Sequence, residues 1–283
     1  MNVYQVITDR ILQSLAQGVV PWRRPWRAAA PMNLVSHKEY RGINVIMLQA
    51  SRFESPYWLT FNQARDLGGM VKRGERGTPV VFWKVREERD ESEEPEKIFV
   101  LRYFTVFNVE QCQGVAAPAP IVRPAFDPIE QCERIVLGFE GRPRIDHGGN
   151  VAGYIPSLDR VVMPSRESFT SREEYYSALF HELVHSTGSA GRLNRKAITD
   201  PSGFGSHGYS FEELVAECGS AFLCAEGGIV NSTLDNSAAY IASWSSKLRS
   251  EPRWLVHAAG QAAKAADLVL GRQARAEANA EAA

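Results

Sequence analysis

The stretch His181-Glu182-Leu183-Val184-His185 has the spacing of a metal-binding helix. Two histidines four residues apart share one helix face, about one turn apart. From that face two ring nitrogens can bind one Zn²⁺ ion at ~2.1 Å. Glu182 is placed to take a proton from a water molecule at the ion, as a general base. A surface helix with two unrelated histidines is the alternative, since the pattern arises by chance in about one such sequence in a hundred.

A third ligand is expected from a second helix, which the sequence opens at Ser210. Glu213 and Glu217 lie four residues apart on one face of that helix. We predict that Glu213 binds the ion and that Glu217 orients a ligand histidine through its free ring nitrogen. A solvated acidic helix start is the alternative, but the following residues are mostly apolar, and a buried carboxylate without a partner is costly. Zinc is the expected ion, although Mn²⁺ or another divalent cation also accepts two histidines and a carboxylate.

The sequence also predicts the elements that surround these residues. Ser171 and Glu174 form a capping-box pattern at the start of the first helix, and Ser210 with Glu213 forms another at the second. Residues 154–163 are typical of a strand that pairs with an extended peptide at the edge of a cleft. Tyr209, and His207 near it, precede the second helix and are expected to donate to a developing oxyanion. A polar loop is the alternative for both segments.

Several blocks in this half resemble the zincin-like metallopeptidase domain attached to ArdC-type antirestriction proteins. They are YIPSLDRVVMP, FTSREEYYSALFHELVHSTG, RLNR and GYSFEELVAECGSAFL, over about residues 154–225. The family often continues the first motif as HSTGH, whereas this chain has Ser189 there. A metzincin would place its third histidine at position 191, which is glycine. The departure favours Glu213 as the third ligand.

The first part of the chain is distinguished by charge. Residues 1–86 contain 13 Lys or Arg and 5 Asp or Glu, while the whole chain carries a net charge of −1. Basic residues alternate with aromatic ones, as in Trp22-Arg23-Arg24-Pro25-Trp26-Arg27. Aromatic faces for bases beside cations for phosphates suit sequence-tolerant binding of single-stranded nucleic acid. The alternative, tryptophans in the core and charges on a solvated face, is favoured for any single tryptophan.

Periodicity predicts helices over residues 2–17, from 43 through 48 and over 60–68, and paired strands over 79–85 and 97–107. Between the strands, residues 87–96 include seven acidic residues, which indicates a solvated hairpin tip.

Residues 1–114 closely resemble the N-terminal domain of ArdC-type proteins, through GVVPWRRPW, PMNLVSHKEYRGINVIML, YWLTFNQARDLGGMVKRGERGTPVVFW and RYFTVFNVEQCQG in this order. The resemblance implies binding of single-stranded DNA and protection of incoming plasmid DNA against restriction during conjugation. The DNA contacts implied are Arg23, Arg24, Trp26, Lys38, Tyr40, Arg41, Trp58, Gln63, Lys72, Arg73 and Trp83.

The sequence predicts an α+β protein of two domains. They cover residues 1–114 and 129–283, joined by a proline- and alanine-rich linker over 115–128. The absence of a signal peptide, of a long apolar run and of paired cysteine motifs indicates a reduced cytoplasmic protein that does not enter a membrane. The four cysteines show no CxxC pairing or metal-ligand spacing, and Cys218 and Cys224, on an apolar helix, are expected to be buried.

The sequence is compatible with two competing functions. The first is a DNA-binding shield in which zinc stabilises the second domain. The second is an active peptidase delivered to DNA to cleave a host protein, with Glu182 passing the proton to the leaving nitrogen. An inactive or single-turnover zincin is also compatible with these residues.

Overall fold

A computed structural model describes residues 2–23, 30–51, 53–88, 96–116, 118, 128–200, 207–229 and 238–272. These residues form two compact units, one from 2–10 and 30–118 and the other from 11–23 and 128–272. The division falls inside the first helix, α1 (Val3–Ala16). Residues 11–23 lie in the range predicted for the N-terminal domain but group with the second unit. Helices and strands occur in both units, which confirms the predicted α+β class.

The first unit is built on a four-stranded sheet. Its strands lie in the order β1 (Met32–Asn33), β2 (Tyr57–Thr60), β5 (Glu96–Asn108) and β4 (Thr78–Glu88). Strands β1 and β2 are parallel, and the other neighbouring pairs are antiparallel. The predicted pair of strands is confirmed as a long hairpin, aligned from Thr78 opposite Val106 to Glu88 opposite Glu96. The tip over 89–95 lies outside the described residues. The elements are β1 (Met32–Asn33), α2 (Ile43–Gln49), β2 (Tyr57–Thr60), α3 (Phe61–Asp66), β3 (Met70–Val71), β4 (Thr78–Glu88), β5 (Glu96–Asn108) and β6 (Cys112–Gln113), with β3 and β6 forming a separate antiparallel pair.

Strand β2 is buried on both faces, because alternate side chains point in opposite directions. Tyr57 and Leu59 pack in one apolar cluster, and Trp58 packs in another with Val80 and Val106. The sheet thus has a core on each side of this strand, which fixes the register of its neighbours.

Asn44 of α2 closes the outer edge of β4. Its side chain donates to the carbonyl of Val81 at 2.8 Å and accepts from the Val81 amide at 2.7 Å. An edge strand otherwise presents unpaired backbone groups. The Asn44 amide pairs both backbone groups of Val81 and thereby anchors the helix on the sheet.

The second unit contains a three-stranded sheet and a group of helices. Its strands lie in the order β7 (Arg144–His147), β9 (Arg160–Met163) and β8 (Gly153–Ile155). Strand β7 is parallel to β9, and β8 is antiparallel to it. The predicted single strand over 154–163 is wrong, because a 3-10 turn and a left-handed residue, Asp159, divide it into a hairpin with β8 at the sheet edge. The elements are α4 (Pro128–Gly138), β7 (Arg144–His147), β8 (Gly153–Ile155), β9 (Arg160–Met163), α5 (Arg172–Ser186), α6 (Lys196–Thr199), α7 (His207–Gly227), α8 (Ala238–Ser250) and α9 (Trp254–Val269).

The sequence predicts the N-terminal cap of α5 correctly but not that of α7. Ser171 caps α5 as expected by accepting from the Glu174 amide at 3.1 Å, although the Glu174 carboxylate accepts from Thr170 instead of from Ser171. Helix α7 begins at His207, so Ser210 is buried inside the helix and does not cap it. Among the described residues, no helix combines the length and the apolar character that a membrane crossing requires.

Helices α5 and α7 approach each other at Gly219. A Cβ atom built on Gly219 would lie 2.8 Å from both methyl groups of Val184, which is fully buried on α5. A β-branched side chain in a helix has one strongly preferred rotamer, so Val184 cannot turn away. Glycine is therefore required here for the two helices to pack at this distance.

We expect Gly219→Ala to destabilise the protein by about 1 kcal/mol in urea unfolding, since overpacking costs about 1–3 kcal/mol and alanine regains about 1 kcal/mol of helix propensity. Combining it with Val184→Ala should cost less than the sum of the two changes. The matched control is Gly260→Ala in α9, where a Cβ atom meets nothing within 4 Å. That control should stabilise by about 0.5–1 kcal/mol. Equal effects at both glycines would show that helix contact does not govern Gly219.

Candidate metal centre

Three predicted ligands, His181, His185 and Glu213, come together where α5 meets α7. The Nε2 atoms of the two histidines are 3.1 Å apart. Glu213 Oε2 lies 3.5 Å from His181 Nε2, and its Oε1 lies 3.5 Å from His185 Nε2. Ligand atoms ~2.1 Å from a tetrahedral ion would be separated by about 3.4 Å. The triangle therefore matches the size that a small divalent cation requires.

The electrostatics of the triangle favour positive charge. Burial opposes ionisation of Glu213, but the hydrogen bond to His181 and the charges of both histidines outweigh it and lower its pKa to about 2. Burial likewise opposes charge on His181, yet its hydrogen bond to Glu213 and the nearby carboxylates, including Glu182, raise its pKa. A cation bound here would take the place of the positive charge that Glu213 favours on His181.

A buried hydrogen-bond network at the Nδ1 side of the His185 imidazole fixes the orientation of this ring. Its Nδ1 lies 3.3 Å from Glu212 Oε1, and Glu212 accepts from Arg195 through Nε at 2.9 Å and Nη2 at 2.6 Å. Arg195 also donates to Thr187 Oγ1 at 2.7 Å and to the Val184 carbonyl at 2.8 Å. A carboxylate on the far nitrogen of a ligand histidine fixes its tautomer and its ring orientation.

Glu212 is a residue that sequence reasoning missed. We assigned the orientation of a histidine to Glu217, but the carboxylate at His185 Nδ1 is Glu212. The charge of Glu217 acts on His181, and its Oε2 accepts a hydrogen bond from Trp22 Nε1 at 2.8 Å. The run of two glutamates at 212 and 213 was a usable signal, since consecutive helix residues point about 100° apart. One can face the ion while its neighbour faces a histidine from the side.

The predicted catalytic residues Glu182 and Tyr209 are also near the triangle. Glu182 is half-buried and contributes to the electrostatic environment of both His181 and Tyr209. The Tyr209 hydroxyl makes a hydrogen bond to Glu213, and burial together with the negative charge of Glu213 raises the pKa of Tyr209 to about 12. Tyr209 is therefore a protonated donor at neutral pH. The side chain of His207 lies outside the described residues.

Two family models match this chain, one in each half. Residues 1–107 match the N-terminal domain of the anti-restriction factor ArdC, and residues 131–261 match a zincin-like metallopeptidase. A crystal structure of the antirestriction ArdC protein from plasmid R388, in metal-free form, is 37% identical with a TM-score of 0.77. That likeness covers 96% of this chain and 98% of the neighbour. The chain belongs to the ArdC antirestriction family.

Further ArdC-like chains support this membership. The Mn(II)-bound structure of the R388 protein is 35% identical with a TM-score of 0.76, over 98% of this chain and all of that one. The y4eC protein of Sinorhizobium fredii is 35% identical over 298 residues, which are 98% of this chain and 94% of the relative. DNA primase TraC of Escherichia coli is 37% identical over 289 residues, but this chain spans only 20% of its length.

The ArdC neighbour also bears on the ion. One of its two structures is described as Mn(II)-bound. Here the zincin-like domain places two histidine nitrogens and a carboxylate at mutual distances of 3.1–3.5 Å. Such a donor set accepts zinc, manganese or iron. The site in this ArdC-family chain thus suits a divalent metal ion.

We expect Glu212→Gln to weaken metal binding by about 10–100-fold, because the partner of a ligand histidine loses its charge. The change also leaves Arg195 without its buried counter-charge, which costs about 3–5 kcal/mol of folding stability. Titration with Mn²⁺ and with Zn²⁺, next to urea unfolding of the metal-free protein, measures both effects. Glu173→Gln, at an exposed position in the first turn of α5, is the control. It should leave metal affinity unchanged and cost no more than about 1 kcal/mol of stability, the contribution of a carboxylate at a helix N-terminus.

Unchanged metal affinity in the Glu212→Gln protein, together with reduced stability, would assign the Arg195–Glu212 pair to folding alone.

Proposed function

We propose that this ArdC-family chain binds single-stranded DNA with little sequence preference and protects incoming plasmid DNA from restriction. Its second half would hold Zn²⁺ through His181, His185 and Glu213. Family membership, carried by the match of residues 1–107 to the ArdC N-terminal domain, is the observation on which the antirestriction role depends.

Exposed cations of the first unit support the DNA interface. Of the predicted contacts, Lys38, Arg41, Lys72 and Arg73 all have exposed side chains. Lys72 and Arg73 follow β3 directly, and Lys72 Nζ donates to the carbonyl of Glu110 at 2.8 Å. Exposed ammonium and guanidinium groups gain affinity for a nucleic acid by releasing its condensed counterions, independently of sequence.

Several of the predicted DNA-contacting residues need correction. Trp58 is 2% exposed and Tyr40 is 8% exposed, so neither presents a ring face to a base. Gln63 is occupied in the capping box of Thr60 and in hydrogen bonds with Asn33. Arg24 and Trp26 lie outside the described residues, as do the side chains of Arg23 and Trp83.

Other aromatic residues are better placed for stacking than those predicted. Phe104 on β5 is 51% exposed, and Tyr103 and Phe61 are similarly open. Phe104 packs edge-on against Phe82 at 5.7 Å between ring centroids, and the strand partner of Phe82 is the exposed Arg102. An exposed ring beside a cation is the combination that base stacking uses.

The residues of the metal centre support peptide-bond hydrolysis. A divalent ion held by these ligands supplies Lewis acidity, which lowers the pKa of water and polarises a carbonyl. Glu182 would accept the proton from the attacking water and transfer it to the leaving nitrogen. The protonated Tyr209 would donate a hydrogen bond to the developing oxyanion.

An alternative is that the chain is an active peptidase that cleaves a host protein on DNA. The observation that favours it is β8 (Gly153–Ile155), which lies at the edge of its sheet and is hydrogen-bonded only to β9 within that sheet, as far as the described residues go. An extended peptide can add to such an edge through backbone hydrogen bonds. The protection of DNA would then depend on proteolysis.

We expect Phe104→Ala to weaken binding of mixed-sequence single-stranded DNA by about 1–3 kcal/mol, the contribution of one stacked base. Its salt dependence should match that of the original protein, because no charge changes. Lys72→Ala should instead reduce the slope of log affinity against log salt by about 1. Arg134→Ala, an exposed residue of α4 paired with Glu130, is the control. Fluorescence-anisotropy titrations over a salt series measure all four proteins, and full affinity of the Phe104→Ala protein would exclude stacking on this ring.

We expect Glu182→Gln to retain the metal and DNA binding while lowering hydrolysis of a disordered probe such as casein by about 10²–10⁴-fold. Metal content, DNA titration and transfer of a plasmid into a restricting host are measured on the same variant. Full protection is expected if DNA binding alone shields the plasmid. Lost protection with intact DNA binding would replace the shield by the peptidase alternative.

A further inference from the structure

We infer that Trp22 is a positioning residue of the metal centre, which acts by holding Glu217 in place one helical turn from the ligand Glu213. The inference rests on the metal site proposed above and concerns a residue far from it in sequence. Trp22 and Glu217 are 195 positions apart, and both belong to the second unit.

Trp22 is held in one orientation. It lies in the 3-10 turn Pro21–Arg23 and is fully buried. Its ring packs edge-on against Trp244 of α8, with 6.3 Å between centroids and 83° between planes. Its single N–H group donates to Glu217 Oε2 at 2.8 Å. A buried indole has one hydrogen-bonding atom, and here that atom is aimed at one carboxylate oxygen.

Glu217 connects this indole to the metal ligands. It is 5% exposed and follows the ligand Glu213 by four residues of α7, so both lie on the same helix face. A buried carboxylate is costly unless hydrogen bonds satisfy it, and the indole N–H provides one of them without adding a charge of its own.

Helix α7 carries a second buried carboxylate that is held in a similar way. Glu212 is held by Arg195, a residue from the segment between α5 and α7. Glu217 is held by Trp22, a residue from before the first sheet. Each of these buried carboxylates thus has a donor from another part of the chain. The two glutamates need such donors because a long side chain would otherwise sample several rotamers.

The test is metal affinity of the full-length protein, measured for Mn²⁺ and Zn²⁺ by competition with a chromophoric chelator. Trp22→Phe keeps a buried ring and removes the N–H, and we expect about tenfold weaker binding. Trp58→Phe makes the same change at a buried tryptophan of the first unit and is the control, with affinity within twofold of the original. Unfolding by urea in the absence of metal is measured in parallel, so that a loss of stability is separated from a loss of affinity.

A double-mutant cycle identifies the route through Glu217. Glu217→Gln keeps an oxygen that can accept from Trp22 and removes the charge, and it should also weaken binding about tenfold. If the two residues act together, the double variant should bind about as well as either single one, whereas independent effects would multiply to about 100-fold. The visible spectrum of the Co²⁺-loaded proteins should shift in the same variants, because it reports ligand geometry.

The outcomes separate this inference from the proposed function. If the original protein binds neither ion, the metal site itself is wrong. If it binds and the Trp22→Phe protein binds equally well, Trp22 has no positioning role. If Trp22→Phe does not fold, Glu217→Gln decides, and unchanged affinity in that variant would overturn the inference.

Discussion

The close packing of α5 on α7 is the constraint on which the candidate metal centre depends. Two of the candidate ligands come from one helix and the third from the other, so the triangle exists only at one distance and one rotation of the pair. Gly219 permits that distance, since any side chain there meets Val184. Val184 lies inside the metal-binding motif, directly before His185, and its carbonyl also accepts from Arg195. One residue between the ligands therefore joins helix packing to the network that orients His185.

Local spacing made part of this site predictable. His181, Glu182 and His185 depend only on the period of a helix, and Glu213 follows from the need for a third ligand on a second buried helix. Glu212 and Trp22 were not recognised, because their roles come from contacts across 27 and 195 positions. A sequence pattern carries no information about which distant donor reaches a buried carboxylate. The same limit explains Trp58 and Tyr40, whose aromatic character suits either a core or a stacking surface until the fold is known.

The fold shows a similar division. The β4–β5 hairpin and the capped helix α3 follow from alternation and from Thr60, both local signals. The start of α7 at His207 and the break at Asp159 were not predictable in this way. Ser210 has the residue type of a cap, but the helix extends past it, and the hairpin at β8 depends on a left-handed residue that is not glycine. The Asp159 carboxylate accepts from Tyr154 and from Arg192, which supplies the hydrogen bonds that stabilise this conformation.

The placement of residues 11–23 makes the metallopeptidase half discontinuous in sequence. Val20 and Trp22 are buried in that half, although residues 28–121 of the other unit separate them from α4. A fragment cut at the proline-rich stretch and beginning at 129 would lack these side chains and would expose the surfaces that they cover. Failure of such a fragment to fold or to bind metal would reflect the missing segment, not the chemistry of the site. The roles of the two halves are therefore better separated with point substitutions in the whole chain than with truncation.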